Sequence, residues 1–152
     1  MAEQVDVKMG EYAVATDDTV IASLGVGSCV AVSLYHDDTS TGGLAHVMLP
    51  TENGHKSEKH ADVLIEELLE EMHEEDLENG ELEAKIFGGA HMVRDSLGIG
   101  DKNVESVKEI LDDEGIDITA EDTGGERGRA VWLHCRSGEV VVRTSFEGTR
   151  RY

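Results

Sequence analysis

Cys29 follows Gly25-Val26-Gly27-Ser28 directly, and an apolar, β-branched run begins immediately after it. A buried structural thiol needs no glycines beside it. A nucleophile does, because its backbone must turn sharply and leave N–H groups directed at a substrate. A thiol reacts as thiolate, and a nearby imidazole is the usual proton acceptor. His46 lies 17 residues on, in the segment expected to pair with the strand that Cys29 begins. A hairpin centred near residue 38 pairs positions whose numbers sum to about 75 or 76, which would set His46 opposite Cys29. A third group should orient the imidazole from its other nitrogen, and the hydroxyl of Ser23, just before the glycine turn, fits that task. The N–H groups around Gly27, Ser28 and Cys29 are candidate oxyanion donors. The competing reading of Cys29 alone is a small buried hydrophobe. Cys135, which ends a short strand with no glycine turn before it, reads that way outright.

Other motifs exclude more than they assign. Gly25-Val26-Gly27 does not continue into a dinucleotide fingerprint, because the position of the last glycine holds Val30. Neither glycine cluster is followed by a phosphate-binding lysine. The seven histidines show no HExxH or similar ligand spacing, so no metal and no cofactor is expected. The stretch Phe87-Gly88-Gly89-Ala90, with Met92 beyond it, has the glycines of a close backbone approach. It reads either as a wall of the substrate groove or as a plain turn.

The elements that must position these residues are short. Strands are expected over 11–15, 19–24 and 29–35, with a return arm over 44–49 that Pro50 ends. Residues 58–78 change period. Ala61, Leu64, Ile65, Leu68, Leu69 and Met72 form one apolar stripe, and glutamates fill the other side, with Asn79-Gly80 as a stop. A strand over 84–87 leads into Gly88-Gly89. Asn103 reads as the N-cap of a second helix with Val104, Val107 and Leu111 on its buried face and Gly115 at its end. Further strands are expected at 116–121, 130–135 and 139–145, the last two joined by Arg136-Ser137-Gly138. This is an α+β or mixed α/β pattern, and 152 residues without a linker or repeat suggest one domain over 1–152.

Thirty-three acidic residues against 13 basic ones leave a formal charge of −20, which argues against a nucleic-acid partner or an anionic membrane surface. With only six lysines, this balance suits a high-salt, halophilic interior, where screening removes the self-repulsion. No apolar run approaches the roughly 20 residues of a membrane span, and the first residues lack a signal-peptide pattern. A cytoplasmic location with free thiols, and no membrane insertion, is the expectation.

Together these pieces resemble the CheD family, the chemoreceptor glutamine deamidases of bacterial and archaeal chemotaxis. The resemblance runs through EYAVA, SLGVGSCVAVSLY, GGLAHVMLP, KHAD, KIFGGAHM, IGDKNVESVKEILDDEGIDITAEDTGG and GRAVWLHCRSGEVVVR, nearly the whole chain. It implies a mixed β-sheet sandwich flanked by helices, with Cys29 as nucleophile, His46 as general base and a hydroxyl orienter six residues before the cysteine. That position is Ser23 here, where the family commonly has threonine. The implied reaction converts glutamine side chains of methyl-accepting chemotaxis receptors to glutamate and ammonia, without a cofactor. A CheC-type phosphatase is the implied protein partner. Two rival readings are a non-catalytic adaptor that binds receptor or phosphatase, and another thiol hydrolase such as a peptidase.

Overall fold

The computed structural model describes residues 3–51, 57, 59–92 and 97–152. Among the described residues ten strands form two five-stranded sheets, and two helices cover one of them. The first sheet contains β1 (Gln4–Asp6), β3 (Val20–Val26), β8 (Arg129–His134), β9 (Val140–Thr144) and β10 (Gly148–Arg151), in that order. The second contains β2 (Tyr12–Thr16), β5 (Thr41–Val47), β4 (Val30–His36), β6 (Glu83–Gly88) and β7 (Asp117–Thr123). This is the mixed α+β sandwich expected from the element pattern.

Strands β4 and β5 are buried at every position, because they lie in the middle layer. Their alternate residues therefore serve two cores. Val30, Val32, Leu34, Ala45 and Val47 pack against α1 (Ala61–Glu74) and α2 (Ile99–Asp113). Ala31 and Leu44 face the other way, into a second core with Cys29, Phe87 and Ile21, Val131, Leu133 and Val142 of the first sheet. All six stripe residues of α1 are buried, as the 3.6-residue period requires. Glu66, Glu70, Glu74 and Glu75 on its far side are exposed.

Three sequence expectations are corrected. The β4–β5 turn is shorter than HDDTSTGG, because Gly42 and Gly43 belong to β5. There they leave room for Leu133 on one face and Leu68 on the other. Pairs in this hairpin therefore sum to 77, and His46 lies opposite Ala31 instead of Cys29. Helix α2 begins at Ile99 after a left-handed Gly98, so Asn103 lies inside the helix and does not cap it. Helix α1 ends at Glu74, before Asn79-Gly80, which instead open a 3-10 turn over Asn79–Glu81. The short edge strands β1 and β10 carry too little periodicity to be anticipated.

Candidate active site

The chemistry-bearing residues converge between the two sheets. Ser23 comes from β3 of the first sheet and His46 from β5 of the second; both side chains are buried. Their polar atoms meet across the interface, with Ser23 Oγ 2.7 Å from His46 Nδ1. Ser23 Oγ is also 3.0 Å from the Val7 carbonyl, which can only accept, so the hydroxyl donates there. The hydroxyl is thus left to accept from Nδ1–H. This fixes the tautomer of the imidazole, and its Nε2 carries a free lone pair. Nε2 is buried and has no hydrogen-bond partner among the described residues.

Cys29 lies on the same face of the middle sheet. His46 pairs with Ala31, directly opposite residues share a face, and Cys29 is two positions before Ala31. Cys29 and Ala31 accordingly join the same core cluster. The relation of Cys29 to His46 is a diagonal one, not the directly opposed one that the hairpin arithmetic suggested. The thiol is buried at the surface end of that cluster, 8% exposed.

Burial sets the resting protonation states. It pushes the Cys29 thiol above its ordinary value, and the residue's own backbone N–H opposes the shift. It also depresses His46, with the nearby Val7 carbonyl opposing the shift. Both shifts favour the neutral forms: a protonated thiol and a free imidazole base. Cys135 is buried with its thiol pushed up to about 11 by desolvation, the behaviour of an inert core cysteine.

The turn before Cys29 is held by its carbonyls. The Gly27 carbonyl accepts from Ala90 N–H at 2.9 Å and the Cys29 carbonyl from Gly89 N–H at 2.7 Å. The Ser28 carbonyl accepts from the side chain of Asn103 at 2.9 Å. So the Gly88-Gly89-Ala90 stretch is the platform beneath Cys29. Gly88 has φ +113, and a Cβ there would lie 2.4 Å from the Cys29 carbonyl oxygen. Phe87 is wholly buried against Tyr152, with ring centroids 5.4 Å apart, and so belongs to the core and does not line a groove. Met92, 36% exposed, packs over Gly27 at the surface.

Two supporting residues escaped the sequence reading. Arg129, nearly buried, donates to the Gly88 carbonyl at 3.3 Å and the Gly124 carbonyl at 2.9 Å, and pairs with Asp122 at 3.1 Å. Asn103 ties the Ser28 carbonyl to the Met48 carbonyl, 3.0 Å from its Nδ2. A signal for Asn103 existed: it continues the buried stripe of Val107 and Leu111 at a spacing of four, where an apolar residue would be routine.

Replacing Ser23 by alanine removes the hydroxyl acceptor but leaves the Val7 carbonyl nearby as a substitute. The expected loss in kcat is therefore about tenfold to a hundredfold, and Ser23→Thr should retain activity near wild type. Steady-state kinetics of the two variants check this.

No helix among the described residues is long and apolar enough to cross a membrane. The family model described as CheD chemotactic sensory transduction matches residues 48–144. A relative from Thermotoga maritima, named chemoreceptor glutamine deamidase CheD, is 44% identical over 90% of this chain and 89% of its own. One from Archaeoglobus fulgidus, named probable chemoreceptor glutamine deamidase CheD, is 42% identical over 97% of this chain and 98% of its own. A third with the latter name, from the halophile Haloarcula marismortui, is 34% identical over 94% and 86%. Matches of this extent, together with a two-sheet sandwich that places a cysteine, a histidine and a hydroxyl on its inner faces, make the chain a member of the CheD family.

Proposed function

We propose that this chain is a chemoreceptor glutamine deamidase in which Cys29 is the nucleophile, His46 the general base and acid, and Ser23 the orienter of His46. The deamidase activity is that of its named relatives. The observation that carries the residue assignment is the 2.7 Å contact between Ser23 and His46 Nδ1, which leaves Nε2 free on the face that holds Cys29.

The reaction follows from these states. Cys29 gives its proton to His46 Nε2 as its sulfur attacks the side-chain carbonyl carbon of a receptor glutamine. The tetrahedral oxyanion is met by N–H groups of the turn at Gly27, Ser28 and Cys29. His46 then protonates the leaving amine, ammonia departs, and a thioester remains on Cys29. Water, losing a proton to His46, cleaves the thioester to give glutamate and the free thiol. The imidazolium formed in each half is stabilised through Nδ1–H by Ser23 and behind it the Val7 carbonyl. Conversion of glutamine to glutamate, detected by peptide mass mapping of a receptor cytoplasmic domain, tests the activity directly. A folded protein that releases no ammonia from such a domain contradicts it.

The resting protonation states predict an unusual pH signature for a thiol enzyme. His46 is depressed below its ordinary 6.5, so the base stays available as pH falls through that value, and activity declines only at more acid pH. Cys29 is raised above its ordinary 9.0, so alkylation by iodoacetamide should climb only above that value. A preformed thiolate–imidazolium pair would do the opposite, with rapid alkylation below neutrality.

The acid surplus of 20 charges supports an origin in a high-salt cytoplasm. A CheC-type phosphatase is the partner that family membership suggests, competing with receptor for the same face. One compact domain over 1–152 accommodates all of these roles.

A further inference from the structure

We infer that Asn103 is a positioning residue that pre-forms the oxyanion hole by fixing the orientation of the Ser28–Cys29 peptide. The inference rests on the deamidase reading above.

In a trans peptide the C=O of one residue and the N–H of the next point in opposite directions. None of the described peptide bonds is cis. Fixing a carbonyl therefore aims the following N–H. Three successive carbonyls of the nucleophile turn are taken, each by a donor outside the turn: Gly27 by Ala90 N–H, Ser28 by Asn103 Nδ2, and Cys29 by Gly89 N–H. The N–H groups of Ser28 and Cys29 find no carbonyl or side-chain oxygen acceptor among the described residues. They face away from the fixed carbonyls. Two free N–H groups beside the attacking sulfur are the geometry that a tetrahedral oxyanion requires.

Of the three clamps only the middle one is a side chain. Asn103 uses one amide nitrogen for two carbonyls, Ser28 at 2.9 Å and Met48 at 3.0 Å. Ser28 precedes the nucleophile, and Met48 is two residues past the base. The single amide thus sets the turn that carries the thiol against the strand that carries the imidazole. Its own Oδ1 is buried with no partner among the described residues. A leucine would fit a buried helix stripe without that penalty. A half-satisfied amide kept in the core marks a position held for the site. Without it the Ser28–Cys29 peptide is free to rotate, which would turn a carbonyl toward the reacting atoms.

The test compares wild type with Asn103→Leu, which removes both donors, and Asn103→Asp, which keeps the shape. The expected result is a fall of about a hundredfold or more in kcat for receptor deamidation, with KM nearly unchanged. Alkylation of Cys29 by iodoacetamide has no oxyanion, so its rate and pH midpoint should stay at wild-type values. In NMR spectra the Cys29 amide of the variants should broaden through exchange between two peptide orientations. Unchanged kcat in either folded variant overturns the inference, as does a loss of alkylation in proportion to kcat, which marks general damage to the fold. If Asn103→Leu does not fold, Asn103→Asp decides. If wild type releases no ammonia, the deamidase reading falls. The amide spectrum then judges Asn103 alone, and a sharp, unshifted Cys29 resonance in the variants overturns its role.

Discussion

Cys29→Ala should reduce ammonia release from a receptor cytoplasmic domain to background, and His46→Ala should lower it by roughly two to four orders of magnitude. The two effects differ in kind. Without the sulfur there is no thioester route, and the remaining N–H groups can only bind substrate. Without the imidazole the thiol remains, but it is a poor nucleophile because burial holds it protonated. Raising the pH should therefore restore part of the activity of His46→Ala and none of that of Cys29→Ala. The double variant should be no worse than Cys29→Ala alone, since the two residues act as a unit. Both substitutions shorten side chains in the inter-sheet core, so circular dichroism must accompany the rates to show that the variants are folded.

Gly88→Ala should also be strongly damaging, although it removes none of the reacting groups. At φ +113 an L-residue is strained, and its Cβ would meet the Cys29 carbonyl oxygen at 2.4 Å and Val26 Cγ1 at 2.6 Å. Backbone cannot yield as a flexible side chain can, so the turn that carries Cys29 must lift from its platform. The expected outcome is a loss of at least a hundredfold in kcat with a destabilisation of about 2–4 kcal/mol. Thermal denaturation beside steady-state kinetics checks both parts. A Gly88→Ala protein with wild-type kcat would show that the turn does not depend on this approach. By contrast Gly80→Ala, where an added Cβ meets nothing within 4 Å, serves as a neutral control.

Much of the candidate site was legible because the proposed chemistry needs particular residue types close together in the chain. Cys29, the glycines before it and the hydroxyl of Ser23 all fall within seven residues, and His46 lies one hairpin away. That Cys29 and His46 come together through one hairpin was legible too, from the apolar, β-branched runs of its two arms. The register was not. Whether pairs sum to 75 or 77 depends on where the turn closes, and Gly42-Gly43 carry turn composition while serving a packing role. A shift of two keeps every side chain on its face, so the error moved His46 along the sheet without removing it from the site.

The contact between Ser23 and His46 joins different sheets, a relation that strand periodicity does not encode. Asn103 was misread for a related reason. Asparagine before an apolar run is a strong cap signal, and only the tertiary approach of α2 to the turn gives its amide two carbonyls to hold. Likewise the glycines after Phe87 were recognisable as a close approach, but not what they approach. The answer, the carbonyls of Gly27 and Cys29, belongs to a segment about 60 residues earlier.

The most direct test of the account is capture of the acyl-enzyme. Wild-type protein mixed with a glutamine-containing receptor peptide, quenched in acid within a turnover and measured by intact mass spectrometry, should show enzyme plus peptide less one ammonia, with the adduct on Cys29. The His46→Ala variant should form it more slowly. Deamidated product appearing without any adduct, or an adduct that persists in Cys29→Ala, would contradict Cys29 as the nucleophile.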